Sequence, residues 1–263
     1  MRLFLLLVLF PLATLSGQRQ YADTTYRPPR FTPKYVIGTG PLILVDTAHH
    51  NAHTRTGRYR PFAQIAELDG FRTGAFTKPF TEASLKGFDI LVIVNAIPES
   101  SLEKWESPTA SAFTREEVAA VNAWVKSGGR LFLIADHMPM GGAAKDLAAS
   151  FGFTFYDSFA DNRKTLGGRE IFQQKDGSLV ASPLTEGGEG YFTVDRVATF
   201  SGQAFELPPG ATDVLHCGEG WISFLPKVAW RFTKETPRLN SAGWSQGAYM
   251  NYGQGKIAVF GEA

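Results

Sequence analysis

The segment Arg130–Asp146, RLFLIADHMPMGGAAKD, constrains the fold of this chain more than any other stretch. The continuous apolar run Leu131–Ala135 is typical of a parallel strand that is covered on both faces. The run stops at Asp136 and His137, where Met138-Pro139 turns the chain. Ligands of open α/β sheets bind beyond the carboxyl ends of the strands, so this acid–imidazole pair marks a candidate site.

The sequence around this segment predicts a flavodoxin-like, doubly wound α/β fold with a mostly parallel sheet. Apolar strands are predicted in three earlier stretches, Pro41–Asp46, Phe71–Phe76 and Leu85–Ala96. Helices are predicted over Pro61–Asp69, Ser111–Gly129 and Ala143–Phe151. The second of these helices has the best signal, because Thr114 and Glu117 match a capping box. We expect the order β-α-β-β-α-β-α, with a further helical crossover before the third strand.

After Phe155 the chain becomes rich in Gly and Pro. This composition predicts a β-rich insertion in the C-terminal half and not a second domain. Short strands are predicted at Val194–Phe200, Val214–His216, Ile222–Phe224 and Val228–Phe232. Ala248–Tyr252 and Lys256–Phe260 form the last pair, and Ile257–Phe260 should return to the parallel sheet. No helical pattern follows, so we expect the domain to lack the final helix that usually covers such a sheet.

The N-terminus predicts export. Residues 1–17 have a basic start, an apolar run and small residues before Gln18, as in a secretory signal peptide. Residues 18–40 form an extended, Pro-rich leader, and 41–263 a single α/β domain. The mature protein should therefore be periplasmic or extracellular and should not be held in a membrane. A net charge of +1 from well-mixed charges gives no reason to expect nucleic acid as a partner.

Polar residues follow several predicted strands at the same edge of the sheet. We expect Asp136 and His137 to be the catalytic candidates, with ligand-binding candidates at His49, His50, Asn51, His53, Asn95 and Glu262. Imidazoles and carboxylates can also hold a divalent metal such as zinc, with His49, His53 and His137 as its candidate ligands. The spacing matches no stereotyped zinc motif, and the same residues could instead cap strand ends and satisfy loop backbone.

Two nucleophile signals are weak. Gly243–Gly247 matches G-x-S-x-G, but a nucleophile elbow needs a strand before it and a helix after it, and neither is predicted. Cys217 is the single cysteine, and a lone cysteine beside apolar residues is usually a small core residue.

Four stretches together resemble an uncharacterised exported family of the class I glutamine amidotransferase-like superfamily, which also includes trehalose-utilisation-type proteins. They are LILVDTAHHNAHTRTGRYRPFAQIAELDGF, FDILVIVNA, the segment from Ser111 to Phe153, and GKIAVFGEA. The resemblance implies a flavodoxin-like sandwich over most of Pro41–Ala263. Active amidotransferases carry a nucleophilic Cys at the turn that here reads Asp136-His137-Met138, so the resemblance implies that glutaminase activity is absent.

Two functional hypotheses remain open. In the first, the domain has no amidotransferase chemistry and binds a small ligand, of which a saccharide is one class, or a partner in the cell envelope. In the second, the cluster His49, His53, Asp136 and His137 makes the protein a metal-assisted hydrolase.

Overall fold

The computed structural model describes residues 21–28, 32–162, 169–188 and 192–263, so the signal peptide predicted over 1–17 lies outside it. A seven-stranded sheet forms the centre of the described chain. Its strands are β1 (Leu42–Asp46), β2 (Arg72–Phe76), β3 (Ile90–Val94), β4 (Arg130–Ile134), β8 (Thr212–His216), β11 (Ser245–Tyr252) and β12 (Gly255–Phe260). They lie side by side in the order β2-β1-β3-β4-β12-β11-β8.

Five of these strands are parallel, which confirms the predicted flavodoxin-like α/β class. β1 lies between β2 and β3, and β4 lies between β3 and β12, all in parallel register. β11 and β8 extend the edge in antiparallel register. β12 therefore returns to the parallel sheet as expected, and the carboxyl ends of β1, β3, β4 and β12 meet at one edge.

Three α-helices are described: α1 (Arg60–Leu68), α2 (Arg115–Lys126) and α3 (Met140–Ala149). The capping box of α2 is present, since the Thr114 side chain accepts from the Glu117 backbone and the Glu117 side chain accepts from the Thr114 backbone. The helical crossover expected before β3 is wrong. Residues 77–89 form turns, because Thr81 and Ser84 accept each other's backbone N–H groups in a single closed turn.

The C-terminal half contributes two small sheets besides the edge strands. One has the order β10-β9-β5, formed by β10 (Arg238–Asn240), β9 (Ile222–Phe224) and β5 (Phe159–Asp161). The other pairs β6 (Glu170–Gln173) with β7 (Arg196–Thr199). The strand predicted over Val228–Phe232 is wrong. Trp230 there has φ 64, a left-handed conformation that ends strand pairing, and only Val228 makes an isolated bridge, to Glu106.

Both weak nucleophile signals prove to be buried packing. Cys217 is fully buried, and burial raises the pKa of its thiol well above the usual range. Ser245 is the first residue of β11, and its hydroxyl lies within hydrogen-bonding distance of the Leu215 and Gly247 carbonyls. Neither group is available to attack a substrate.

The leader is attached to the domain at one end. Lys34 donates its backbone N–H to Asp69 Oδ1 at 2.8 Å, and the Tyr35 ring packs edge-on against Phe71 with centroids 5.1 Å apart. Tyr21, further from the domain in sequence, is 80% exposed. No helix among the described residues has the length and apolar character needed to cross a membrane.

Candidate functional site

Asp136 lies two residues beyond the end of β4, and Asn95, the residue after the neighbouring strand β3, holds it in place. Asn95 has φ 48 and is fully buried, and its Oδ1 accepts the backbone N–H of Asp136 at 2.9 Å. Asp136 is itself 5% exposed, and its Oδ1 accepts the His137 backbone N–H at 2.6 Å. Burial raises the pKa of Asp136, because a carboxylate loses its hydration there.

Glu262 enters the same region from the end of β12. Burial raises its pKa to about 9, and the nearby Asp136 carboxyl contributes to the same shift. The backbone N–H groups of Phe200 and Gly202 oppose this shift without overcoming it. Glu262 Oε2 is shielded from solvent and has no hydrogen-bond partner among the described residues. At neutral pH this carboxyl is therefore protonated, close to a second carboxyl.

His53 and Tyr59 complete this group of side chains. Asn95 Nδ2 donates to His53 Nδ1 at 3.1 Å, so the free proton of the neutral imidazole is on Nε2. Burial, with a smaller effect of Arg58, lowers the pKa of His53 to about 4. The Tyr59 ring packs edge-on against His53 at 5.5 Å, and burial, Asp136 and Glu262 all raise the pKa of its hydroxyl. We call the five residues His53, Tyr59, Asn95, Asp136 and Glu262 the strand-end cluster.

His49 belongs to a different, structural network. Its Nδ1 lies 2.8 Å from Asp46 Oδ2, and its Nε2 lies 3.0 Å from Glu117 Oε1. Carboxylates only accept, so both ring nitrogens donate and the ring is an imidazolium. Burial lowers the pKa of His49, but the two carboxylates outweigh it and the net shift is upward. The rings of Phe80 and Phe113 pack on His49, with centroids 4.5 and 4.9 Å away.

His137 packs among aromatic rings and not among other side chains that could bind a metal. Its ring stacks on Phe159 with centroids 4.5 Å apart and meets the edge of Trp230 at 4.7 Å. Its Nδ1 is 2.7 Å from the Met138 carbonyl oxygen and donates to it. Trp230 is 54% exposed, so an accessible aromatic side chain packs on His137, the residue that follows Asp136.

The three imidazoles predicted as metal ligands have separate partners in the structure. Within the described ranges, no group of three or more His, Cys, Asp or Glu side chains is arranged to hold a metal ion. The physical reason is that His49 is held by two carboxylates, His53 by Asn95 and His137 by aromatic rings. The three imidazoles predicted as ligands therefore do not share one coordination sphere.

The other predicted residues divide between the loop and the strand-end cluster. His50 is exposed and adopts φ 48. Asn51 shapes the loop, because its Oδ1 accepts the His49 backbone N–H at 3.2 Å and its Nδ2 donates to the Val94 carbonyl at 3.1 Å. His53, Asn95, Asp136 and Glu262 do come together, as the common strand-end position suggested.

The roles of three residues are not visible in the sequence pattern. Tyr59 lies just before α1 and carries no pattern of its own, although it precedes Pro61 at the helix start. Glu117 was recognised for its capping role, and the pattern gives no sign of its second role as partner of His49. The sequence predicts a strand at Trp230, and the structure shows instead a left-handed backbone and a side chain that is 54% exposed.

Comparisons with known proteins support the fold alone. No protein-family model and no curated protein matches the chain. Among solved structures, the mmIFT52 N-terminal domain overlays with a TM-score of 0.56 at 14% identity, covering 84% of this chain and 86% of that one. A protein described as ThuA-like from Bacteroides uniformis gives 0.45 at 11% identity, with 84% and 80% coverage. A cytoplasmic protein of Salmonella typhimurium LT2 gives 0.48 at 10%, with 84% and 87% coverage. The last two overlays are too loose to support a conclusion.

Proposed function

We propose that the strand-end cluster binds a small polyhydroxylated ligand, of the saccharide class, in an exported domain without glutaminase activity. One observation carries the proposal: Glu262 Oε2 in the strand-end cluster is buried without a hydrogen-bond partner among the described residues, and the exposed Trp230 packs on His137, the residue after Asp136. Small-molecule sites combine a few placed polar groups with apolar and aromatic walls in this way.

The polar side of the proposed site consists mainly of neutral groups at pH 7. His53 is an uncharged imidazole, Tyr59 an uncharged phenol, and Glu262 a protonated carboxyl, because burial shifts each pKa away from the charged form. Neutral donors and acceptors suit hydroxyl groups, each of which is one donor and two acceptors. Glu262 Oε2 in particular has no partner among the described residues.

The aromatic side is formed by Trp230, whose ring contacts both His137 and Phe159. Its positive φ of 64 is uncommon for a bulky residue and costs free energy. Packing on two rings holds the indole in this position while leaving it 54% exposed. An indole face of this kind offers the apolar surface on which the C–H face of a sugar ring can pack.

The proposed absence of glutaminase activity rests on the turn that follows β4. The resemblance to amidotransferases places their nucleophile where this chain has Asp136-His137-Met138, and Cys217 is fully buried in a separate cluster. A buried thiol with a raised pKa does not supply a thiolate.

The proposal also includes membership of the exported amidotransferase-like family and a periplasmic or extracellular location. The location is tested by expressing the full chain in a bacterial host and determining the N-terminus of the secreted protein.

Isothermal titration calorimetry against a panel of mono- and disaccharides tests the binding function. We expect at least one sugar to bind wild type and to bind Trp230→Ala about tenfold more weakly. Val36→Ala, which also truncates an exposed apolar residue but on the leader, should bind as wild type does. If every sugar fails to bind, or if both variants bind equally, the saccharide proposal is wrong and an envelope partner is the remaining ligand class.

A hydrolytic function is the second candidate, and the Asp136–Glu262 pair favours it. Two carboxyls with raised pKa values can supply a general acid at neutral pH without any metal. This candidate differs from the metal-assisted hydrolase expected from the sequence, because His49 and His137 are engaged elsewhere. Product formation from oligosaccharides that survives EDTA and is lost in Asp136→Asn would support hydrolysis over binding alone.

A further inference from the structure

We infer that the ligand is an acidic oligosaccharide, with a carboxylate on each sugar ring, and that it extends from the strand-end cluster across an exposed surface of aromatic and basic side chains. The inference rests on the proposed function and names the class of saccharide. We call this surface the aromatic–basic surface, and its residues are Phe224, Lys227, Trp230, Arg231, Phe232, Lys234 and Arg238.

The small sheet β10-β9-β5 supports the aromatic part of this surface. Phe159 of β5 lies opposite Phe224 of β9, and Phe224 lies opposite Arg238 of β10, so the three side chains share one face. The rings of Trp230 and Phe232 pack on Phe159, with centroids 4.6 and 5.2 Å away. Phe232 also contacts Phe224 at 5.9 Å. Trp230 is 54% and Phe232 45% exposed, so two accessible rings are held in fixed positions on one surface.

Basic side chains surround these rings. The segment 227–238 contains four basic residues and one acidic residue, all exposed: Lys227, Arg231, Lys234, Arg238 and Glu235. None of the four basic side chains forms an ion pair within the described ranges. The Arg238 guanidinium lies over the Phe224 ring, 5.2 Å from its centroid, so a positive charge is held directly beside the aromatic rings. The whole chain has 26 basic and 25 acidic residues, so this excess is local.

The acidic residues nearby leave the basic groups available. Glu235 lies in the same segment, and Glu106 bridges to Val228 from the neighbouring one. Neither glutamate pairs with a basic side chain in the part of the chain that the structure describes. Asp161 of β5, two residues after Phe159, is half-buried. The exposed lysines and arginines can therefore bind an anion from solvent.

An acidic oligosaccharide matches both kinds of side chain. Its sugar rings present C–H faces to Trp230 and Phe232, and a carboxylate can accept two parallel hydrogen bonds from a guanidinium such as that of Arg231. The surface continues to the strand-end cluster, because Trp230 packs on His137, the residue after Asp136, with centroids 4.7 Å apart. The neutral groups of that cluster can bind sugar hydroxyls while the carboxylates lie on the basic side.

A lipid bilayer fits this surface less well. Membrane-binding segments bury Trp and Phe side chains at the boundary of the lipid chains. Here both exposed rings, Trp230 and Phe232, pack on the buried ring of Phe159. Ala229 and Thr236 of the same segment are also buried, which fixes the segment to the domain. The rings therefore stay at the protein surface, where a sugar ring can pack on them.

Isothermal titration calorimetry with tetragalacturonate and its full methyl ester tests the inference. The two ligands share the sugar backbone, and only the free acid carries charge. We expect the acid to bind at least about tenfold more tightly than the ester at about 20 mM salt, because carboxylates add charge-assisted hydrogen bonds. The difference should shrink at about 500 mM salt, which screens exposed charges.

Matched variants separate the effect of charge from that of stacking. Arg231→Gln/Arg238→Gln should lose the preference for the acid and bind both ligands as wild type binds the ester. Lys126→Gln/Arg130→Gln removes the same charge at the opposite edge of the large sheet, where α2 ends and β4 begins, and should keep the preference. Phe232→Ala should weaken the binding of acid and ester by the same factor, because both ligands have the same sugar rings.

Five other results would overturn the inference. Equal affinity for acid and ester does so and leaves the saccharide proposal standing, and an equal loss in the two double variants shows only an effect of net charge. Polyglutamate that binds as tightly as tetragalacturonate assigns the surface to an acidic peptide. Phosphatidylglycerol vesicles that bind when no sugar does assign it to a membrane. If neither sugars, polyglutamate nor vesicles bind, the inference and the saccharide proposal are both wrong.

Discussion

The buried His49 shows how a single residue can be conspicuous in the sequence and yet serve the fold. Its imidazolium joins Asp46 at the end of β1 to Glu117 in the first turn of α2. Glu117 also accepts the backbone N–H groups of Phe80 and Thr114. One ring therefore connects a strand, a helix and the turn before β3, which is a structural role that needs no ligand.

Replacing His49 by glutamine should destabilise the protein by about 3 kcal/mol, because two buried carboxylates lose their shared cation. Urea unfolding at pH 6 measures the loss. His50→Asn is the matched control, since His50 is exposed and Asn tolerates its positive φ. The control should change the free energy of unfolding by less than about 0.5 kcal/mol. Equal losses in both variants would contradict a structural role specific to His49.

At the scale of elements, the contact between β12 and α2 depends on Gly255. A Cβ at this position would lie 2.0 Å from the Val125 carbonyl oxygen and 2.2 Å from that of Gly129. Both are backbone atoms near the end of α2, so they cannot move aside as a flexible side chain could. The strand can pack this closely under the helix only because residue 255 has no side chain.

Gly255→Ala should therefore cost about 2 to 3 kcal/mol, within the range for overpacking. Gly218→Ala is the control, because a Cβ there meets nothing within 4 Å and its φ is not positive. Urea midpoints at unchanged m-value give the comparison. A Gly255→Ala protein as stable as the Gly218→Ala protein would show that β12 and α2 can separate without loss.

The elements that the sequence predicted well are those specified by local patterns. The apolar run before Asp136 and the Thr114–Glu117 capping box each carry their own signal, and both are present. The strand expected at Val228–Phe232 failed because alternation of apolar residues does not reveal a left-handed Trp230. The helix expected before β3 failed because a parallel crossover can also be made by turns.

The site was predictable in position and not in its partners. Asp136, Asn95 and Glu262 each follow a strand, and parallel strands bring their ends to one edge. The grouping of His49 with Glu117 depends on a contact between residues 68 positions apart, which no local pattern contains. The histidine cluster in the sequence therefore separates into a structural residue, a member of the strand-end cluster and an exposed residue.

For the whole molecule, the raised pKa values of His49 and Glu262 lead us to expect a lower free energy of unfolding at alkaline pH. Both have folded-state pKa values above their ordinary values, so the folded protein binds more protons than the unfolded chain. The stability from each is fully present below its unfolded pKa and is lost as pH rises through the folded pKa. For Glu262 this window runs from its usual value of 4.5 to about 9.

The free energy of unfolding should therefore fall between pH 6 and pH 9.5, and Glu262→Gln should make that fall shallower by at least about 1 kcal/mol. Glu117 acts in the opposite direction: hydrogen bonds and His49 overcome burial and lower its pKa, so its contribution is lost on acidification. Denaturant unfolding from about pH 3 to about pH 9.5 measures both the acid and the alkaline change. An unchanged alkaline slope in Glu262→Gln would contradict a buried, protonated carboxyl.

The sheet order also has a consequence for synthesis. β12 inserts between β4 and β11, and it brings Glu262 to Asp136. Asp136 is synthesised well before Glu262, so one edge of β4 stays unpaired in the nascent chain until β12 has been made. During that interval the unpaired edge of β4 can pair with other chains, and binding of a chaperone would prevent this aggregation. The strand-end cluster is therefore complete only after β12 has paired with β4.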